Sequence, residues 1–173
     1  MAQAALVTLG RVRLHRQMGS VGIGYGALVL VMGLVVTFVA PVLHVRAGEW
    51  TVDRAAAFLI LPLVDMVLFA GFFGGAIRYR RTPEVHKRLI LAATVALSFA
   101  AVARMFPGPS LLAVLIWLSP VLAAMMVDLW TRGRVHGVNV LSLVVLAIAF
   151  ARVLVMETEG WRRFGRAILG PFL

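Results

Sequence analysis

The sequence predicts an all-α integral membrane bundle: one domain over residues 1–173, with five transmembrane helices and a short C-terminal interfacial amphipathic helix. Three observations predict it. Of 173 residues, 62% are hydrophobic and 14% charged, with a mean hydropathy of +0.98, whereas a soluble domain is nearer half apolar and a quarter charged. The apolar residues come in five blocks, each near the ~20 residues a helix needs to cross a hydrocarbon core. The charged residues sit mainly between those blocks. The net charge of +10 therefore reads as topology and lipid contact and not as nucleic-acid binding, because no basic face is interleaved with aromatics. There are no cysteines, which excludes disulfides, thiolate metal sites and cysteine nucleophiles.

The first block covers 21–40. It is too long for a secretory signal and lacks a small-x-small site at its end, so it reads as an anchor. Steps of four and three residues from His15 reach Gly19, Gly22, Gly26, Val29 and Gly33. Glycines on one helical face open a groove for another helix or for a flat cofactor such as haem b. The second block, 55–77, carries Asp65 about ten residues in, a small-residue face at Gly71 and Gly75, and Pro62 as a kink candidate. The third, 89–106, follows "RTPEVHKRLI". Thr82 suits an N-cap, Pro83 the first helical position and Glu84 the positive end of the helix dipole. That places His86 about one turn inside the helix, on a stripe with Ile90, Ala93, Leu97, Ala100 and Arg104.

The fourth block, 111–130, holds Pro120 and ends near Asp128; the fifth, 138–156, follows His136 and carries Arg152 near its far end. In the tail, 160–170, Trp161, Phe164 and Ile168 share one helical face, with Arg162, Arg163 and Arg166 on the other. That pattern suits a helix lying on lipid headgroups. Arg11, Arg13 and Arg16 precede the first span, Arg78 to Arg88 lie between the second and third, and Arg132 and Arg134 between the fourth and fifth. Basic loops stay cytoplasmic, so the expected topology is N-terminus inside and C-terminus outside a bacterial inner membrane, although the arginines of the tail run against the bias.

Two constellations are candidates for chemistry. His15, His86 and His136 lie near one membrane face, with Asp128 close by. Two of these histidines would suit a haem iron, and histidines with a carboxylate a divalent metal; each histidine also suits a helix end at the headgroups. The second set is the charges within the spans: Asp65, Arg104 and Arg152. A lone carboxylate at that depth costs several kcal/mol unless paired, hydrated or protonated. A pairing of Asp65 with Arg104 that fixes the second span on the third is expected, with a protonatable transport site as the alternative. Arg152 lies about 160° around its helix from His136.

The pieces "LHRQMG", "LPLVDMVLF", "HKRLILAAT" with a following "AR", and "VDLWTRGRVH" resemble a group of small bacterial polytopic inner-membrane proteins without an assigned activity. The likeness runs from Leu14 to about His136, with "HKRL" and "DLWTRGRVH" its most specific parts. A weaker likeness is to membrane b-type cytochromes and to membrane proteins that assist oxidase assembly. The chain departs from two-haem cytochromes in offering only His44 on the external side. The expected function is a non-catalytic accessory or assembly subunit of a larger membrane complex, with other membrane subunits or a second copy as partners. A single-haem redox protein and a small proton-coupled transporter centred on Asp65 are the alternatives.

Overall fold

The computed structural model describes the backbone of residues 12–106 and 110–173, and side chains from Met18 onward over the same range. The described residues contain helices and no strands. α1 spans Val12–Arg46, α2 Val52–Phe58, α3 Ile60–Arg78, α4 Pro83–Met105, α5 Leu111–Arg132, α6 Gly137–Phe150, α7 Arg152–Val155 and α8 Glu159–Leu169, followed by a 3₁₀ turn at Gly170–Phe172. Taken through their short interruptions, α1, α2–α3, α4, α5 and α6–α7 are long and apolar enough to cross a membrane. The five spans lie where the apolar blocks place them.

Local chemistry sets the element ends. α4 begins at Pro83 after Thr82, as expected, although the Thr82 side chain makes no cap bond. Ser110 and Thr158 cap α5 and α8 by accepting the N–H of Ala113 and Trp161. Gly133, with φ +66°, closes α5 in the left-handed region, which Gly enters without a Cβ penalty. Prolines act differently in each span. α1 runs on through Pro41 to Arg46, past the expected end at residue 40. Pro62 has no N–H for the Phe58 carbonyl, and the second span is interrupted between Phe58 and Ile60 while Leu59 keeps helical dihedrals. At Pro120 the freed carbonyl is that of Ile116, and it accepts the Ser119 hydroxyl at 2.8 Å, so α5 continues.

α4 is the hub, packing on α3, α5 and α6. The core lies where its face of Leu89, Ala92, Val95 and Ala96 meets Phe69, Phe72 and Ala76 of α3, Trp117 and Val121 of α5 and Leu146 of α6. Alanines let the backbones approach closely, as helix contacts in lipid require. The Trp117 indole N–H donates to the Val95 carbonyl at 2.7 Å, so the bulkiest core side chain has no unpaired polar atom.

α1 packs mainly on α3 and α2. A Cβ at Gly26 would overlap the Phe73 ring, and one at Gly33 the Met66 thioether. The glycine groove is thus filled by side chains of the second span over that stretch, and Gly19 and Gly22 lie open. The opposite flank, including Val21, Tyr25, Leu28 and Met32, is exposed.

The tail docks on the bundle. α8 lies on α2, where Gly165 comes so close that a Cβ would stand 2.7 Å from the Ala56 carbonyl oxygen. The Trp161 indole N–H donates to that oxygen at 2.9 Å, and Leu169 is fully buried with Val42, Ala55 and Leu59. The predicted apolar face is therefore divided: Trp161 and Ile168 pack against the bundle, and Phe164 is exposed. Alanines at 55, 56 and 57 make that approach possible, and the Arg166–Asp53 ion pair fixes it.

Candidate functional site

The core stripes of the helices end in charged or amide groups. On α4 the stripe Arg88, Ala92, Val95, Ala96, Phe99 begins with an arginine; on α5 the stripe Trp117, Val121, Asp128 ends with an aspartate; on α6 the stripe Asn139, Ser142, Leu146 begins with an asparagine. These ends meet in one buried layer at the inner end of the bundle, the end of the α3–α4 turn. The Arg88 guanidinium holds both Asp128 oxygens through Nη2 and, at 3.4 Å, Nε. Asp128 Oδ2 also accepts the Asn139 amide at 2.8 Å and the His136 backbone N–H at 3.1 Å. Arg88 Nη1 reaches the Glu84 carboxylate at 2.6 Å and the Glu84 carbonyl at 2.8 Å. Glu84 in turn pairs with Arg132 and Lys87. Each buried charge here has several partners, the condition under which a buried polar network rigidifies a core.

A second buried pair lies toward the other end. Asp65 opens the α3 stripe Asp65, Phe69, Phe72, Ala76, and Arg152 is the first residue of α7. Arg152 Nη2 stands 2.5 Å from Asp65 Oδ1, and its guanidinium lies 4.4 Å from the Phe99 ring centroid. Phe99 packs edge-on against Trp117. Asp65 is 3% and Arg152 4% exposed. Unlike the inner layer, the pair has no supporting hydrogen-bond network: Asp65 Oδ1 and all three guanidinium nitrogens lack a bond of hydrogen-bond geometry among the described residues. Counting thirteen residues from Asn139 to Arg152, with a rise of about 1.5 Å each, separates the two layers by roughly 20 Å. Asp65 lies at the midpoint of the span Val52–Arg78, and Arg152 three residues from the end of the span Gly137–Val155.

Helix interruptions flank this pair. The second span breaks at Leu59, above Asp65, and the fifth tightens at Ala151, where the Ala151 N–H bonds Ile148 O at 3.0 Å and Leu154 N–H bonds Ala151 O at 2.9 Å.

The structure redistributes the residues the sequence singles out. Asp65 pairs with Arg152 and not with Arg104, which is exposed and bonds the Ala100 carbonyl of its own helix. Arg104 lies five residues, about 140°, beyond Phe99 on the helical wheel, off the packed face. His86 is half-buried, and its Nδ1 lies 2.8 Å from the Ala76 carbonyl, stitching α4 to the end of α3. His136 caps α6, its Nδ1 accepting the Val138 N–H at 3.2 Å. His44 stacks on Trp50 and contacts Glu49. The side chain of His15 lies outside the described residues. Among the described residues no three His, Asp or Glu groups are gathered to hold a metal. Gly75 packs against Leu89, and Gly71 is open.

Sequence reasoning passed over Arg88, Asn139 and Ser142. Their signal is the helical stripe: each sits one or two turns from a buried alanine, valine or leucine on its own helix. Two surface concavities, of about 440 and 350 Å³, lie at opposite ends of the molecule. Neither is lined by a member of the buried ion pairs. No family model matches the chain, and neither the curated proteins nor the solved structures contain a match.

Proposed function

We propose that this chain is a non-catalytic accessory or assembly subunit of a larger complex in a bacterial inner membrane, with its N-terminus and the α3–α4 turn cytoplasmic. The observation that carries the reading is the uncovered flank of α1. Tyr25 is 68% and Leu28 56% exposed on a helix covered chiefly by α3 and α2. The polar groups that invite a chemical role are meanwhile engaged in packing: His86 on Ala76, His136 as a cap, and Asp128 under Arg88 and Asn139. A haem held by two of His15, His86 and His136 gains no support from these geometries. Arg88 of "HKRL" binds Asp128 of "DLWTRGRVH", so the two pieces that carry the resemblance meet in one buried pair.

Photo-crosslinking amino acids at Tyr25 and Met32 test the role in native membranes. Protein adducts of discrete mass, matched by a native assembly in mild detergent, are expected. Lipid adducts alone, together with a monomeric species in detergent, would refute it.

One observation favours a second reading, a proton-coupled carrier centred on Asp65. The Asp65–Arg152 pair is buried, has the Phe99 ring against its guanidinium and lies beside two helix interruptions, features that mark sites on broken membrane helices. Asp65→Asn in reconstituted vesicles is then expected to abolish a proton flux while helicity is retained. Unchanged proton flux, or loss of the fold without a transport defect, removes this reading.

A further inference from the structure

The arginines of the α3–α4 turn differ from most other basic groups in the molecule. Lys87, Arg88 and Arg132 are paired with Glu84 and Asp128; Arg162, Arg163 and Arg166 are paired with Glu157, Glu159 and Asp53. Arg78, Arg80 and Arg81 have no ion pair among the described residues, yet they share one short turn and, with Ile77, line a concavity of about 350 Å³. The Tyr79 ring lies 5.8 Å from the Arg78 guanidinium. Three like charges at this spacing repel, and an anion in the concavity would relieve that.

The turn is a firm platform. The Tyr79 N–H bonds Gly75 O at 2.9 Å, the Thr82 N–H bonds Tyr79 O at 2.8 Å, and His86 ties the start of α4 to Ala76 O. A second feature runs into the same place. Val67, Gly71, Gly74 and Arg78 follow one another at helical spacing on the exposed side of α3, and a Cβ at either glycine would meet nothing within 4 Å. Between Val67 and the arginine concavity the exposed side of α3 is thus a shallow apolar furrow at the two glycines, where no side chain stands.

We propose that the Arg78–Arg80–Arg81 turn binds the phosphodiester of an anionic phospholipid, with an acyl chain lying along the Val67–Gly71–Gly74 furrow. Guanidinium forks suit phosphate oxygens, and basic pockets at helix ends are where anionic headgroups are held. The furrow favours a lipid over a free phosphate, which would have no use for it.

Native mass spectrometry of the full chain in detergent, titrated with phosphatidylglycerol or phosphatidylcholine, reads the site. Phosphatidylglycerol is expected to remain bound at concentrations where phosphatidylcholine does not, and glycerol phosphate or inorganic phosphate at the same concentration should not displace it. Retention should weaken roughly five-fold for each of Arg78→Gln, Arg80→Gln and Arg81→Gln. Arg134→Gln, an exposed arginine outside the concavity, should have no effect. Gly71→Leu should weaken phosphatidylglycerol retention with the arginines intact. All these positions are exposed, and circular dichroism verifies the fold of each variant; should Arg78→Gln, at the end of α3, misfold, Arg80→Gln and Arg81→Gln carry the test. Equal retention of the two lipids, wild-type retention by the arginine variants, or displacement by free phosphate would overturn the proposal.

Discussion

Replacing Arg152 by Met should strip Asp65 of its only charged partner while keeping the apolar bulk of the side chain. Removing one member of a buried ion pair typically costs about 3–5 kcal/mol, because the other charge stays desolvated and alone. Asp65 is 3% exposed and opens the core stripe of α3, so a loss of about 3 kcal/mol is expected for Arg152→Met. The reverse change is milder. In Asp65→Leu the arginine keeps the Phe99 ring face, and it stands three residues from the end of its span, close enough to extend toward the surface. About 1–2 kcal/mol is expected there. The double variant Asp65→Leu/Arg152→Met should recover most of the stability, since apolar replacement of a whole buried pair is often neutral and Asp65 Oδ1 and the guanidinium nitrogens have no hydrogen bond to lose among the described residues. Arg104→Met, an exposed position, should stay within about 0.5 kcal/mol of wild type. Reversible unfolding in mixed micelles, followed by helicity and tryptophan fluorescence, measures all four. Additive losses in the double variant, or an Arg104→Met as costly as Arg152→Met, would refute the assignment.

The remaining predictions use the same measurements. Asp128→Leu should cost about 3 kcal/mol or more, because Arg88 is then buried with Glu84 as its one remaining acid; a neutral result would mean the inner layer is hydrated. Gly26→Leu and Gly33→Leu should separate α1 from α3 through collision with Phe73 and Met66, whereas Gly22→Leu should leave unfolding unchanged, since nothing lies within 4 Å of its Cβ position. Gly165→Leu should undock α8 by collision with the Ala56 backbone, read as protease cleavage near Thr158 and a red shift of Trp161 emission. Hydrogen bonds from Arg166 and then Arg163 hold the Glu159 carboxyl below its ordinary value of 4.5. A depressed carboxyl contributes stability that is full above its unfolded value and lost as pH falls through the folded one. The helical structure of α8 should therefore lose support below about pH 4.5 and be insensitive to pH between 6 and 8, which helicity followed against pH checks.

The five spans were legible because a block of some twenty apolar residues predicts a membrane helix without knowledge of its neighbours. The start of α4 at Thr82–Pro83 was legible for a similar reason, since a proline at the first helical position is a local signal. Ion-pair partners are not local. Asp65 had two arginines near one end of the bundle, and choosing between them needed the rotation of α4, whose packed face runs through Arg88, Ala92, Ala96 and Phe99 and not through His86 and Arg104. Arg88 looked like one more cytoplasmic charge among Arg78, Arg80, Arg81 and Lys87; only its place at the end of an alanine stripe distinguishes it. The tail shows the same limit. Its amphipathicity predicted an apolar partner surface, and whether that surface is lipid or α2 depended on Ala55, Ala56 and Ala57, more than a hundred residues away.

The central claim is that five helices cross a bilayer, so that successive turns alternate between its two sides. The chain has no cysteine, so single cysteines introduced at Glu49, Arg80 and Arg134 report directly through a membrane-impermeant thiol reagent applied to intact and to opened cells. Arg80→Cys and Arg134→Cys should be protected in intact cells and react after opening, and Glu49→Cys should react in both. Labelling of positions 49 and 80 from the same side, or recovery of the chain in the soluble fraction without detergent, would contradict the account.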